Sequence, residues 1–190
     1  MTTQTHLYKI KQILASLDEN TRKAFNAVSG TKEFKKGDLL LREGETCRQS
    51  FYIINGIARK FYYNDGKEVT TEFYFSNDLA VSFSSYVFQK PSRETIECLT
   101  DVSVSATNYQ VFQEVKQKFP KLTELDLLIT ELYTAWLEER MFEFQTLNAT
   151  QRYEKLIQHS PHLIQQVQLT HIASYLGISL ETLSRIRAKK

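Results

Sequence analysis

The 190-residue sequence is poor in the residues that hold metals, cofactors and disulfides. Its only cysteines are Cys47 and Cys98, too few for a disulfide framework and without metal-ligand spacing. An iron–sulfur cluster, which takes about four thiolates, is excluded on the same count. No histidine falls between His6 and His159. A barrel enzyme with a metal held by histidines and a carboxylate on its strands therefore has no ligand set. Ser82, Ser84 and Ser85 have no histidine near them in sequence, and no Gly-x-Ser-x-Gly elbow occurs, so nucleophilic catalysis has no signature. The expectation is a protein that is not an enzyme, with no cofactor and no metal. Nor is there an apolar run of about 18 residues, which excludes a membrane helix. The start, Met1 to Lys11, lacks an apolar stretch with a small-residue cleavage site, and a cytoplasmic location is expected.

What the chain does contain is 42% hydrophobic and 12% aromatic residues, enough for one large and one small domain. Leu7, Ile10, Ile13, Leu14 and Leu17 repeat at helical spacing, and Asp18 is placed to cap a second helix through Phe25 and Val28. From Thr31 to Thr107 the period becomes two. Short runs at Leu39–Leu41, Phe51–Ile54, Ile57–Tyr63, Val69–Phe75, Thr95–Leu99 and Val102–Ala106 are separated by turn signals that hold four of the six glycines. This pattern predicts an antiparallel β-roll or jelly roll. After Pro120 a helical pattern runs to about Leu147, or about 40 Å. One of its stripes carries Leu125, Ile129, Leu132 and Trp136, which are expected to meet a partner subunit in a homodimer; burial within a monomer is the alternative. Thr150 is placed to cap the next helix.

The last segment carries the functional signal. Ile172 and Leu176 share one helical face, Leu183 and Ile186 the next, with Ala173 and Gly177 between them and Ser179 as a cap. This spacing predicts a helix-turn-helix, an ordinary helical hairpin being the alternative. Its second helix would present Ser179, Leu180, Glu181, Thr182, Ser184, Arg185 and Arg187 to DNA, followed by Lys189 and Lys190. Arg185 is the residue expected to read a base, while Ser179, Thr182, Arg187, Lys189 and Lys190 would mostly hold phosphates. Six basic and two acidic residues from Gln151 onward give this end a net charge of +4, against −2 for the remainder.

With Gly37-Asp38, Glu43-Gly44-Glu45 and Tyr52-Ile-Ile-Asn-Gly56 in the roll, the Asp65-Gly-Lys-Glu68 hairpin, the Asn77-Asp78 turn, and Leu183-Ser-Arg-Ile-Arg187 at the end, the sequence resembles the Crp/Fnr (cyclic-AMP receptor/FNR) family of bacterial transcription regulators, in particular its short Bacteroidetes-type members. The resemblance implies an α+β fold in three parts: a sensor domain over 1–119 built as an antiparallel β-roll, a dimerisation helix and hinge over 120–148, and a helix-turn-helix over 149–190 without a following wing. It implies a homodimer that binds double-stranded DNA and contacts RNA polymerase, and a roll that holds a small-molecule effector. The family's Gly-Glu pair falls on Val81 and Ser82, its Arg-Ser pair on Ser92 and Arg93, and its long-helix contacts on Tyr133 and Leu137 with Glu138. Those departures predict a roll that does not bind cyclic AMP, since a buried phosphate would lack its arginine unless Arg93 shifted by one residue. The serines near position 82 would be loop residues of a degenerate phosphate-binding segment. Phe61, Tyr63, Phe73, Phe83 and Tyr86 would either line the interior around an unidentified ligand or simply fill it. A haem is unsupported, because no histidine lies in the roll or the long helix. Leu180, which offers a base only apolar contact, keeps open a dimeric small-molecule-binding or adaptor protein without DNA binding.

Overall fold

In the computed structural model, which describes residues 12–161 and 163–188, the period-two segments become eight strands. They are β1 (Ser29–Phe34), β2 (Leu39–Leu41), β3 (Gln49–Asn55), β4 (Ala58–Asn64), β5 (Lys67–Tyr74), β6 (Leu79–Ala80), β7 (Thr95–Cys98) and β8 (Val102–Asn108). One sheet has the order β1-β8-β3-β6 and the other β2-β7-β4-β5. The pairs β2–β7, β3–β6, β4–β5 and β4–β7 are antiparallel. Alternate side chains from both sheets, among them Phe51, Ile53, Ala58, Tyr74, Ile96, Cys98 and Val104, form one buried core. The roll is thus closed by ordinary alternation of inward apolar and outward polar residues. β1 and β6 are the strands the pattern did not disclose: β1 is largely exposed, and β6 is two residues long.

The helices are α1 (Glu19–Val28), α2 (Phe83–Phe88), α3 (Tyr109–Lys118), α4 (Pro120–Thr146), α5 (Ala149–His159), α6 (Leu163–Gln166), α7 (Leu169–Leu176) and α8 (Leu180–Ala188), and residues 12–16 are also helical. Leu7 and Ile10 of the expected first helix lie outside the described residues. Asp18 caps α1, accepting from the Thr21 N–H at 2.9 Å and from its hydroxyl at 2.5 Å. Those bonds hold the Asp18 carboxyl below its ordinary pKa. α4 starts at Pro120, whose missing N–H costs nothing in a first turn. The cap of α5 corrects the sequence reading: it is Asn148, not Thr150. Asn148 accepts from the Gln151 N–H, Gln151 Oε1 accepts from the Asn148 N–H, and this capping box leaves Thr150 inside the helix.

Two compact units result. One combines Thr107–Leu147 with the residues up to Gly30; the other combines Thr31–Ala106 with the residues from Asn148 onward. The first is centred on Leu17, Phe112 and Leu122, with Phe25 edge-on to Phe112 at 6.1 Å. The second holds the roll together with the C-terminal helices. Ile57 and Leu99 of the roll share a buried cluster with Tyr153, Leu156, Ile172, Leu176, Leu183 and Ile186, and Phe73 and Phe75 pack against it.

The turn at Asn55-Gly56 is held by a close backbone approach. Gly56 has φ +99°, and a Cβ there would lie 2.4 Å from the Asp101 carbonyl oxygen and 2.9 Å from Val102 Cα. Neither atom is a flexible side-chain end. Gly56→Ala is expected to cost at least about 2 kcal/mol in urea unfolding. Gly30→Ala, which meets nothing within 4 Å, should change stability by less than about 0.5 kcal/mol.

Candidate functional site

The helix-turn-helix forms as its spacing predicts. Ile172, Ala173 and Leu176 of α7 and Leu183 and Ile186 of α8 are buried. Gly177 takes φ 66° and ψ 37°, and the following Ile178 N–H donates to the Ala173 carbonyl at 3.0 Å, ending α7 in the left-handed conformation that glycine tolerates best. Ser179 Oγ accepts from the Thr182 N–H at 3.2 Å, which starts α8. The Ser179 hydroxyl also holds the Glu181 carboxyl below its usual pKa. Ser179, Leu180, Glu181, Ser184, Arg185 and Arg187 are exposed and Thr182 is half-buried. Arg185 reaches back to the Thr182 hydroxyl at 3.3 Å. Lys189 and Lys190 lie outside the described residues.

Helix α7 rests on the outer face of the β2-β7-β4-β5 sheet. Ser174 Oγ donates to the Glu68 carbonyl and accepts from the Thr70 N–H, both at 2.9 Å, so one hydroxyl serves two backbone groups of β5. Tyr175 meets Phe73 with ring centroids 5.1 Å apart. Beneath α7 lies Arg59, only 3% exposed, paired with Glu68 at 2.5 Å and Glu97 at 2.7 Å and set over the Phe61 ring at 4.1 Å. His171 faces this cluster: Nε2 is 4.0 Å from Glu68, and Nδ1 is buried with no hydrogen-bond partner. Burial first, and the Arg59 charge second, hold its pKa below the ordinary imidazole value against the opposing pull of Glu68 and Glu97.

Opposite Arg59 on the same strand, Lys60 turns into the roll. It is 2% exposed and pairs with Glu72 at 2.5 Å and Glu94 at 3.7 Å. The Ser82 hydroxyl donates to Glu94 at 2.6 Å, and Ser92 Oγ lies 3.0 Å from Ser82 Oγ. Tyr74 donates to the Val81 carbonyl at 3.3 Å. Two carboxylates thus face one ammonium in the interior. A third, external anion entering there would be repelled and desolvated together. Arg93, which the sequence offers as a positive charge for such an anion, is exposed. Burial pushes the Cys98 thiol up to about 12 and raises that of Cys47, so both stay protonated at neutral pH.

Comparison with known proteins agrees with this architecture. The pattern of the family described as cyclic nucleotide-binding domain matches residues 31–119. FixK2 from Bradyrhizobium japonicum superimposes with a TM-score of 0.72 at 17% identity, over 85% of this chain and 84% of that one. A regulator assigned to the Crp/Fnr family from Eubacterium rectale gives 0.70 at 15% identity, over 92% and 83%. The c-di-GMP-responsive global regulator CLP from Xanthomonas campestris gives 0.68 at 17% identity, over 90% and 91%. No curated protein matches the chain by sequence. This chain has the Crp/Fnr fold.

Within the Crp/Fnr fold the expected site residues separate. Val81, Ser82 and Ser92 come together inside the roll, buried, while Arg93 faces outward. Ser84 and Ser85 are not loop residues: they belong to α2, and Ser85 accepts from the Cys47 N–H at 2.9 Å. Phe61, Tyr63 and Phe73 do not line the interior, because strand alternation sends them to the other face. Phe61 and Tyr63 border an outer groove of about 440 Å³, and Phe73 packs under α7. Phe83 and Tyr86 do pack on the roll core. Tyr133 and Leu137 lie on α4, Tyr133 stacked on Trp136 at 5.8 Å and Leu137 44% exposed. Of the residues expected at a dimer interface, Leu125 is buried within its own chain at 4% exposure, and Ile129, Leu132 and Trp136 are half-buried. The large apolar side chains left exposed on α4 are Leu127, Leu137, Met141, Phe142 and Phe144. Sequence reasoning missed Lys60, Glu72, Glu94 and Arg59. For Arg59, Lys60 and Glu72 the only signal was a charged residue within an otherwise apolar or alternating strand run; Glu94, in the loop before β7, gave none. No metal-holding group of three His, Cys, Asp or Glu occurs among the described residues, and none of their helices is long and apolar enough to cross a membrane.

The lowered pKa of His171 gives stability a sign. The neutral ring is favoured in the folded protein, so its contribution is complete above the unfolded imidazole value of about 6.5 and is lost as pH falls through the lower folded value. Urea unfolding between about pH 7.5 and pH 5 is expected to show wild type losing more stability on acidification than His171→Gln; equal slopes would remove His171 from the account.

Proposed function

We propose that the chain is a sequence-specific DNA-binding transcriptional regulator that acts as a homodimer and whose roll does not take cyclic AMP. The observation that carries this reading is the exposed, largely polar face of α8 on a helix-turn-helix whose packing residues Ile172, Ala173, Leu176, Leu183 and Ile186 are buried. In the major groove, Arg185 donates to a base edge, Ser179, Thr182, Arg187, Lys189 and Lys190 hold phosphates, and Ser184 and Leu180 sit against the groove wall. Glu181 accepts from a cytosine amino group or favours the helix N-terminus through its dipole. The working division is a sensor part over 1–119, a dimerisation part over 120–148 and a DNA-binding part over 149–190. RNA polymerase is the expected protein partner of such a regulator.

Dimerisation is assigned to the exposed apolar residues of α4 from Leu127 to Phe144. Leu137 and Phe144 are seven residues apart, as are Leu127 and the equally exposed Thr134 and Met141. A heptad-spaced apolar face left in water is the pattern that a second helix covers. Exclusion of cyclic AMP follows from the two carboxylates at Lys60 and from the outward position of Arg93.

Arg185→Ala should weaken binding to a selected duplex by about 1–3 kcal/mol and relax preference at one base position, whereas Lys189→Ala should weaken all duplexes alike and flatten the salt slope. Binding isotherms at several salt concentrations distinguish the two, and an Arg185→Ala variant with wild-type affinity would contradict the assignment. Leu137→Glu with Met141→Glu is expected to sediment as a monomer where the wild type sediments as a dimer; a dimeric double variant would move the interface elsewhere.

A further inference from the structure

The carboxylate of Glu94 meets buried polar groups of the roll. Its side chain turns back toward Ser92, two residues earlier, and Oε2 accepts from the Ser82 hydroxyl at 2.6 Å. Ser92 Oγ accepts the Glu94 N–H at 3.0 Å and lies 2.8 Å from the Glu94 carbonyl oxygen and 3.0 Å from Ser82 Oγ. Lys60 Nζ stands 3.7 Å from Glu94 Oε1. Lys60, Ser82 and Ser92 are 2%, 2% and 4% exposed, yet the Glu94 side chain keeps 23% of its surface in solvent. Buried groups from β4 and from the residue before α2 therefore face a carboxylate that enters from the rim, while Ser92 braces Ser82 and the Glu94 backbone.

We propose that Ser82 and Lys60, with Ser92 bracing Ser82, form an anion seat and that Glu94 is its built-in occupant, so that the roll holds its arrangement without an external ligand. Without Glu94, the Ser82 hydroxyl would lose its charged acceptor, and leaving a buried donor unmatched is costly. A tethered carboxylate is present at high effective concentration and outcompetes a free one. Glu72 already pairs with Lys60, so no spare positive charge remains to admit a second anion beside Glu94. The inference rests on the reading that the roll excludes cyclic nucleotides, and it names the group responsible.

The test is chemical rescue, read by thermal melting of the full-length protein in chloride and in formate, acetate or inorganic phosphate at equal ionic strength. Wild type is expected to melt at one midpoint in all four. Glu94→Ala should melt several degrees lower in chloride and recover at least half of that shift in formate, saturably. Ser82→Ala combined with Glu94→Ala should not recover. Equal midpoints for Glu94→Ala in formate and chloride would overturn the proposal, as would the same formate stabilisation in wild type. If Glu94→Ala does not fold in chloride, the refolded yield with formate decides: a higher yield supports the seat and an equal yield overturns it. Calorimetric titration of wild type with cyclic AMP separates the levels. Binding there defeats the cyclic-AMP exclusion stated above and the seat with it, whereas absent binding together with absent rescue defeats the seat alone.

Discussion

Two successive residues of one strand, Arg59 and Lys60, are cations buried on opposite faces of the same sheet, at 3% and 2% exposure. A buried cation is tolerated only when paired and hydrogen-bonded, and stripping its partner leaves an uncompensated charge. That constraint organises the second compact unit. On the outer face it fixes Glu68 and Glu97 around Arg59 and creates the charged floor under α7. On the inner face it fixes Glu72 and Glu94 around Lys60 and places a charged group beside the apolar core of the roll. The helix-turn-helix and the roll interior are therefore held from the two sides of a single strand.

The exposed face of α8 does not take its shape from those ion pairs; apolar packing and hydrogen bonds mount the two helices on the roll. The apolar faces of α7 and α8 close on each other and on Ile57 and Leu99 of the roll. The Ser174 hydroxyl ties α7 to the edge of β5 through two backbone hydrogen bonds. What is left outward is a row of short polar side chains and arginines, the composition suited to phosphate and base edges. In the same way, α4 buries Leu122 and Leu125 in its own protomer and leaves the apolar residues of its second half uncovered.

Much of this architecture is legible from spacing. The helix-turn-helix follows from the positions of Ala173, Gly177 and four apolar residues, and the roll follows from turn signals between period-two runs. The boundaries of α4 follow from Pro120 and the end of the helical pattern. Other features were hidden for identifiable reasons. Strand β1 carries no apolar alternation, because most of it faces solvent. The cap of α5 reads as Thr150 until Gln151 is seen to complete a capping box with Asn148. Phe61, Tyr63 and Phe73 are as apolar as core residues, and only strand parity reveals that they face α7 and the outer groove. The interior cluster was least legible, since Lys60, Glu72 and Glu94 read as ordinary surface charges until the sheets close around them. On α4, spacing alone does not separate Leu125, which is buried within its own chain, from the exposed apolar residues farther along the helix.

The most direct test of the central claim is selection of bound duplexes from a random DNA pool by the purified wild-type protein at low ionic strength. The account predicts enrichment of a two-fold symmetric motif with half-sites about 34 Å apart, or a multiple of that spacing. Failure to retain any duplex above background, with the protein shown to be folded, would contradict it.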